Sequence, residues 1–154
     1  MRRLPVILAV LLALCLCACS GGNTDPSAIT QAQETEGEVR EMVLKIDGET
    51  VPVIWEQNES VSELRSLAEN GIEIEMSMYG GFEQVGDIGH RIPRNDSQIT
   101  TSPGDIVLYS GDQMVIFYGS NSWSYTRLGK IDLPRDRMTE MLSHGDVTVT
   151  IGSD

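Results

Sequence analysis

Cysteine is the residue type whose spacing in this sequence suggests the clearest chemistry. The three cysteines lie at positions 15, 17 and 19. Cys19 follows Leu16-Cys17-Ala18, an apolar residue and two small ones, and precedes Ser20-Gly21-Gly22. This order is typical of a lipobox, in which the cysteine sulfur receives diacylglycerol and the cysteine becomes the first residue of the mature chain. Two alternatives stay open: an ordinary secretory signal cut after Ala18, or a short transmembrane helix.

The residues before Cys19 favour a removable signal peptide. Met1-Arg2-Arg3 is a positive start, and the stretch from Leu4 to Ala18 carries no charge. This apolar run is too short to span a bilayer comfortably, because a transmembrane helix needs about 20 apolar residues. We therefore expect a lipoprotein signal peptide at 1–18 and lipidation at Cys19. The mature protein is then expected at a bacterial cell membrane, anchored by lipid and facing outside the cytoplasm.

The next segment has the composition of a flexible tether. Residues 20–40 are rich in Gly, Ser, Thr, Gln and Glu and contain almost no apolar side chain, so they cannot bury a core. The predicted organisation is a signal peptide at 1–18, the lipidated cysteine with its tether at 19–40, and one folded domain at 41–154.

The charge and the motifs exclude several classes of function. The chain has 11 basic and 23 acidic residues, a net charge of −12, so a nucleic-acid partner is not expected. Loss of residues 1–18 removes two arginines and makes the net charge −12 − 2 = −14, so the membrane contact is expected through lipid rather than a basic patch. No Cys/His set has zinc spacing, and phosphate, dinucleotide and EF-hand motifs are absent from the sequence, so neither a metal nor a cofactor is expected. No catalytic residue can be assigned.

Four side chains of the domain are candidates for ligand contacts. Arg91 and Arg94 flank Ile92-Pro93 and are suited to donate to a peptide carbonyl or a carboxylate, although ion pairs with the domain's acids are an alternative. Phe82 follows two glycines, which allow a loop to approach a ligand closely, although it is equally suited to anchor the loop in the core. Trp123, in Ser-Asn-Ser-Trp-Ser, is the first choice for a pocket wall, with a structural plug as the alternative.

Alternating apolar residues indicate the strands that must position these side chains. Ile72, Ile74, Met76 and Met78 give the clearest alternation, and Asp47-Gly48 is typical of a hairpin turn. Strands are predicted at about 42–46, 50–55, 72–78, 106–109, 114–118, 125–131 and 147–151, helices at 61–69 and 134–142, and an irregular segment at 80–98. The first helix is expected to open with a capping box, Ser60-x-x-Glu63. So many strands in one small domain favour a mainly β fold, a small closed barrel of about eight strands with two short helices.

A family resemblance extends over about residues 42–153. It is carried by the segments Gly80–Gly86, Ile92–Asp96, Pro103–Tyr109, Gln113–Gly119 and Ser120–Ile131. These segments resemble the bacterial cyclophilin-like family, whose members occur as small lipoproteins and joined to flavodoxin-type domains. The resemblance implies an eight-stranded cyclophilin-type barrel. It implies no settled activity, because most members have no known function.

The related cyclophilins are enzymes that isomerise X-Pro bonds. They use an arginine that donates to the prolyl nitrogen, a glutamine that holds a carbonyl, and aromatic residues around the proline ring. Gly111-Asp112-Gln113 is similar to their Gly-Ser-Gln, which makes Gln113 a candidate for the carbonyl contact. Ile72–Gly89 contains no arginine, and Met114 and Val115 replace the aromatic residues that follow the glutamine.

The sequence thus predicts an envelope lipoprotein whose barrel binds a peptide or a small molecule, with no evident catalysis. The predicted ligand contacts are Phe82, Arg91, Arg94, Gln113 and Trp123. Two alternatives stay open: a peptidyl-prolyl cis-trans isomerase acting on secreted proteins, with Arg91 or Arg94 replacing the usual arginine, and a non-catalytic scaffold for another envelope protein.

Overall fold

The computed structural model of the chain describes residues 41–153. The predicted signal peptide, the lipidation site Cys19 and the tether lie outside the described residues. The described part contains ten strands and two helices. In chain order these are β1 Met42–Ile46, β2 Glu49–Val51, β3 Val53–Trp55, α1 Glu59–Ala68, β4 Ile72–Tyr79, β5 Glu83–Asp87, β6 Ser97–Thr100, β7 Asp105–Tyr109, β8 Gln113–Phe117, β9 Ser122–Ile131, α2 Arg135–Leu142 and β10 Val147–Ser153. Neither helix is long and apolar enough to cross a bilayer.

The strands form the predicted barrel. Nine of them follow one another in the order β2-β1-β10-β4-β5-β8-β7-β9-β3, and β6 adds to β9 outside this path. The two ends of the path are neighbours in the chain, because only Pro52 separates β2 from β3. Proline has no N–H to donate to a ladder, so the strand changes partner there, from β1 on one side to β9 on the other. This corner brings the two ends of the nearly closed sheet together.

Alternate residues of the strands fill the barrel interior. Leu44, Ile74, Ile106, Met114 and Leu128 are fully buried there, each on a different strand. Both helices add to the same core. They do so through Val61, Leu64, Ala68, Met138, Met141 and Leu142.

A second apolar cluster lies on the other face of the sheet. It consists of Val107, Val115, Phe117 and Tyr125, with Phe82, Val85 and Ile99 packed against it. Side chains alternate between the two faces of a strand, so β7 and β8 send every other residue to this cluster and the rest to the interior. These strands are therefore buried on both faces. We call this group the outer cluster.

The start of the first helix differs from the prediction. Helix α1 begins at Glu59, and its N-cap is Asn58, whose Oδ1 accepts a hydrogen bond from the Val61 N–H at 2.9 Å. The predicted capping box at Ser60 is wrong. Ser60 instead donates its hydroxyl to the Pro93 carbonyl at 2.6 Å, which ties the helix to the loop that carries Arg91 and Arg94.

The prediction of an irregular segment over 80–98 is also wrong, because β5 and the start of β6 lie within it. The residues of β5 that face the interior are Gln84 and Gly86 rather than apolar side chains. The Gln84 Nε2 donates to the carbonyls of Leu142 and Gly145, both at 2.7 Å, whereas its Oε1 has no hydrogen-bond partner within residues 41–153. These strands, with the division of the 50–55 strand at Pro52, raise the count above the predicted eight.

Candidate ligand-binding site

A cavity of about 440 Å³ opens on the outer face of the sheet, over the outer cluster. It is formed by the end of β4, by β5, β7 and β8, and by the start of β9. Its lining is mostly aromatic and apolar, with a few polar groups. The lining residues are Tyr79, Glu83, Val85, Tyr109, Gln113, Val115, Asn121, Trp123 and Tyr125.

The floor of the cavity is held rigid by ring-to-ring contacts. Tyr125 is buried and meets Phe117 edge to face, with the ring centroids 5.8 Å apart. Tyr109 meets Tyr125 in the same manner at 6.0 Å. Phe82 stacks on Phe117 with the ring centroids 6.5 Å apart. Aromatic pairs at these distances are favourable beyond the area that they bury, so the floor is preorganised.

The rim of the cavity carries aromatic side chains that the fold leaves open to solvent. Tyr79 is 67% exposed, Trp123 56% and Tyr109 38%. They are three of the five large apolar side chains that are exposed in the described part of the chain. Exposed aromatic residues gathered around one concave surface mark a binding site more specifically than single exposed residues do.

Glu83 places a carboxyl group inside this aromatic surface. The residue is 6% exposed, and within residues 41–153 its Oε2 has no hydrogen-bond partner. Burial raises the pKa of Glu83 from 4.5 to about 7. Among the described residues that line the cavity there is no lysine, arginine or histidine, so no lining side chain carries a positive charge to offset this carboxylate.

Two amides complete the polar part of the lining. The Asn121 Nδ2 donates to the Tyr125 hydroxyl at 3.1 Å, and the Asn121 Oδ1 accepts from the Ser122 N–H at 2.8 Å. Burial and the nearby charge of Glu83 raise the pKa of Tyr125, and the Asn121 hydrogen bond opposes them. Gln113, the other amide, begins β8 at the edge of the cavity.

Two of the five side chains predicted from the sequence meet in this cavity, namely Gln113 and Trp123. Phe82 lies beneath it, because its ring packs into the outer cluster. Its carbonyl accepts hydrogen bonds from the N–H groups of Tyr118 and Gly119, so the residue also fixes the start of β5 against the end of β8.

The two predicted arginines lie outside the aromatic cavity. The Arg91 Nη2 is 3.2 Å from the Asp112 Oδ2, and its Nη1 donates to the Ser110 carbonyl at 3.0 Å. The Arg94 Nε is 3.5 Å from the Asp96 Oδ2, and Arg94 lines a different cavity next to the N-terminus of α1. Neither arginine is therefore a lining residue of the aromatic cavity, although Arg91 pairs with Asp112, the chain neighbour of Gln113.

Sequence reasoning missed Glu83, Tyr79 and Asn121 as lining residues. Glu83 resembles the exposed Glu73 and Glu75 in the sequence, and β5 itself was not predicted. The five residues of β5, Glu-Gln-Val-Gly-Asp, do not alternate apolar with polar side chains, so the sequence offers no signal for this strand. In the described part of the chain, no group of three or more His, Cys, Asp or Glu side chains is arranged to hold a metal ion.

Comparison with known proteins agrees with this fold. The sequence model of the cyclophilin-like family matches residues 44–152, and the chain belongs to this family. No curated protein and no solved structure matches the chain.

Proposed function

We propose that this chain is a membrane-tethered envelope lipoprotein whose cyclophilin-like barrel binds a peptide or a small ligand in the aromatic cavity. The observation that carries the binding part is the set of exposed aromatic side chains, Tyr79, Tyr109 and Trp123, around an apolar floor. Contact with a ligand removes these faces from water, which is favourable by about 25 cal/mol for each Å² of apolar surface. The cavity volume of about 440 Å³ is in the range of known ligand sites.

The binding proposal is tested with an X-Pro peptide and the purified full chain in detergent micelles, followed by NMR and calorimetry. Saturable shifts in the peptide signals are expected, and Trp123→Ala is expected to weaken binding at least about fivefold, because stacked aromatic contacts are removed. Ile54→Ala is the matched control, since Ile54 is 66% exposed and does not line the cavity. Equal affinity in the unsubstituted chain and in Trp123→Ala would contradict this assignment of the site.

The envelope location rests on Leu16-Cys17-Ala18-Cys19. Acyl chains on Cys19 hold a protein at the membrane because each buried methylene contributes about 0.8 kcal/mol. Cys19→Ala is therefore expected to leave an unprocessed or soluble protein in cell fractionation. Unchanged membrane retention of this variant would refute lipidation.

Prolyl isomerisation is the second candidate, and the position of Gln113 beside apolar and aromatic walls favours it. The cyclophilin enzymes also use an arginine. Here Arg91 and Arg94 are paired with aspartates and do not line the cavity. Exchange-detected NMR of the same X-Pro peptide separates the two candidates. Accelerated cis/trans exchange that is lost in Arg91→Ala or Arg94→Ala would make the protein an isomerase, whereas saturable binding without acceleration supports a binding barrel.

A further inference from the structure

The buried carboxyl of Glu83 is the feature of the cavity that the proposed function does not yet use. A carboxylate removed from water is stable only when an opposite charge or several hydrogen-bond donors replace the water. Within residues 41–153 its Oε2 has neither a donor in hydrogen-bond distance nor a cation among the other lining residues. An occupant of the cavity that carries a positive charge would supply what the carboxylate lacks.

The aromatic side chains around Glu83 have the same preference. Tyr79, Tyr109, Trp123 and Tyr125 line the cavity with it, and the faces of such rings are electron-rich. Organic cations bind over these faces because the ring quadrupole attracts positive charge while the alkyl groups are removed from water. The aromatic rings and the carboxylate therefore both favour a positively charged ligand.

The charges of the chain around the cavity also disfavour anionic ligands more than cationic ones. Ile72–Gly89, which contains β4 and β5, has no lysine or arginine, and the whole chain has a net charge of −12. The titratable groups that line the cavity with Glu83 are three phenols, those of Tyr79, Tyr109 and Tyr125. Arg91 lies beside the edge of the cavity, next to the chain neighbours of Tyr109 and Gln113, and its charge is offset by Asp112. The net negative charge of the chain therefore favours positively charged ligands over negatively charged ones.

We propose that the cavity selects an organic cation, an ammonium or guanidinium group on a short apolar stem, with its charge against Glu83 and its alkyl part against the aromatic side chains. This proposal deepens the proposed function and rests on it. Free amines and the basic side chains of a peptide share this chemistry. The hydrophobic stem distinguishes such ligands from inorganic cations, which would lose their hydration shell in the cavity and bury no apolar surface there.

The decisive experiment compares choline with its neutral carbon isostere, 3,3-dimethylbutan-1-ol, on the purified full chain at an alkaline pH. The two molecules have the same shape and differ in charge. Binding is followed by calorimetry and by the fluorescence of Trp123, with the Trp123→Phe variant giving the contribution of Trp55, the other tryptophan. Choline is expected to bind about tenfold tighter than the isostere, because a cation over aromatic faces beside a buried carboxylate gains at least that factor.

Glu83→Gln is the variant that assigns the preference to the carboxyl group. It keeps the shape of the side chain and removes its charge, so choline and the isostere are expected to bind this variant within about twofold of each other. Glu73→Gln is the matched control, because Glu73 is an exposed carboxylate on β4 outside the cavity. It is expected to keep the tenfold preference. Circular dichroism is used to check that both variants fold, and Trp123→Ala tests the aromatic part independently of Glu83.

A further experiment with a peptide distinguishes the two sources of the cation, a free amine and a basic side chain of a peptide. Acetyl-Ala-Lys-Ala-amide is compared with the same peptide acetylated on the lysine, and with n-butylammonium as the free amine. Tighter binding of the lysine peptide than of n-butylammonium assigns a peptide side chain, and the reverse order assigns a free amine. Either order supports the cation proposal if acetylation weakens the peptide.

The outcomes also separate this proposal from the one on which it rests. If choline and the isostere bind equally and both are weakened by Trp123→Ala, the cavity is a ligand site and the cation proposal is overturned. If none of these molecules nor the X-Pro peptide binds, both proposals are overturned.

Discussion

Glu83 and Phe117 face each other across the antiparallel pair of β5 and β8. Residues paired in this way point to the same face of a sheet, so the buried carboxyl lies beside the ring that supports Tyr125. Phe117 also stacks on Phe82, which holds the turn before β5. The charge of the cavity and the packing of the outer cluster therefore depend on one cross-strand pair. A substitution at Glu83 is expected to alter both stability and binding.

The first prediction concerns stability and the protonation of Glu83. Burial raises its pKa from 4.5 to about 7, so the folded chain holds this proton more tightly than the unfolded chain. The contribution to the free energy of unfolding is complete below pH 4.5, and it is lost as the pH rises to about 7. The shift corresponds to roughly 3 to 3.5 kcal/mol. The side chain that Glu83→Gln introduces has no ionisable group. The free energy of unfolding of this variant is therefore not expected to fall over this pH range.

Urea unfolding of both chains at an acidic and an alkaline pH measures the effect. Glu83→Gln is expected to be close to the unsubstituted chain at about pH 4.5 and more stable than it at about pH 8. Glu73→Gln, which changes an exposed carboxyl on β4, is expected to follow the unsubstituted chain at both values. Identical pH dependence in the Glu83→Gln and unsubstituted chains would show that the carboxyl is not perturbed by burial.

The second prediction concerns Asp105, whose contribution to the free energy of unfolding changes with pH in the opposite direction to that of Glu83. Burial raises its pKa, but hydrogen bonds from Lys130 and the Ser102 N–H, with the charges of Lys130 and Arg127, hold the pKa below its ordinary value of 3.8. Its carboxylate accepts from the Lys130 Nζ and from the Ser102 N–H, each at 2.8 Å. This stabilisation is complete at neutral pH and is lost as the pH falls below about 3.8 through the folded pKa.

Asp105→Asn is therefore expected to lower the free energy of unfolding at neutral pH by about 2 kcal/mol, since hydrogen bonds to charged groups are lost at a buried position. The difference in the free energy of unfolding between Asp105→Asn and the unsubstituted chain should become smaller as the pH is lowered. Asp132→Asn, at an exposed aspartate after β9, is the control and should change little. A deficit for Asp105→Asn that does not depend on pH would contradict the electrostatic explanation.

The third prediction tests the contact between β4 and β5. A Cβ atom on Gly86 would lie 2.5 Å from the Ile74 Cγ2 and 2.7 Å from the Glu75 carbonyl oxygen. Gly86→Ala must therefore move the two strands apart, and a cost of about 2 kcal/mol in the free energy of unfolding is expected. Gly152→Ala is the matched control, because Gly152 is also in a strand and has open space at its Cβ position. Equal stability of the two variants in urea unfolding would contradict this packing.

The elements that sequence analysis predicted correctly have signals that are local in the chain. Strand β4 alternates apolar and polar residues along its length, and the turn at Asp47-Gly48 needs two residues with positive φ, which are 49° and 83° in the structure. Strand β5 has no such signal. The amide hydrogens of its interior residue Gln84 are accepted by carbonyls 58 and 61 residues away in the chain, contacts that no local pattern displays.

The candidate site likewise contains residues that the sequence identifies and residues that only the tertiary structure identifies. Trp123 and Gln113 stand out by their residue types and neighbours, and both line the aromatic cavity. The surroundings of Arg91 and Glu83 depend on contacts that the sequence does not display. Asp112 pairs with Arg91 outside the cavity, and the pairing of β5 with β8 turns Glu83 to the face of the sheet that carries the outer cluster. Burial of one acid among many is set by the tertiary structure and not by its sequence neighbours.

The last prediction is that the affinity for an organic cation rises with pH. Choline keeps its charge at all pH values used, so a change in its dissociation constant reports on the protein. Below about pH 7 Glu83 is mostly protonated and attracts a cation weakly, whereas above it the carboxylate is formed. The dissociation constant of choline is therefore expected to fall about tenfold between acidic and alkaline pH. Because a bound cation favours the ionised carboxyl, the pKa of Glu83 is expected to be lower in the complex than in the free protein.

Calorimetry across this pH range provides the measurement, and proton release on binding near neutral pH is its second readout. Glu83→Gln should bind choline with an affinity that does not change with pH, and 3,3-dimethylbutan-1-ol should show no gain at alkaline pH. If choline instead binds more tightly at acidic pH, protonated Glu83 is the binding form and acts as a hydrogen-bond donor. The ionised carboxyl would then not be the group that holds the cation, and the cation proposal would be overturned.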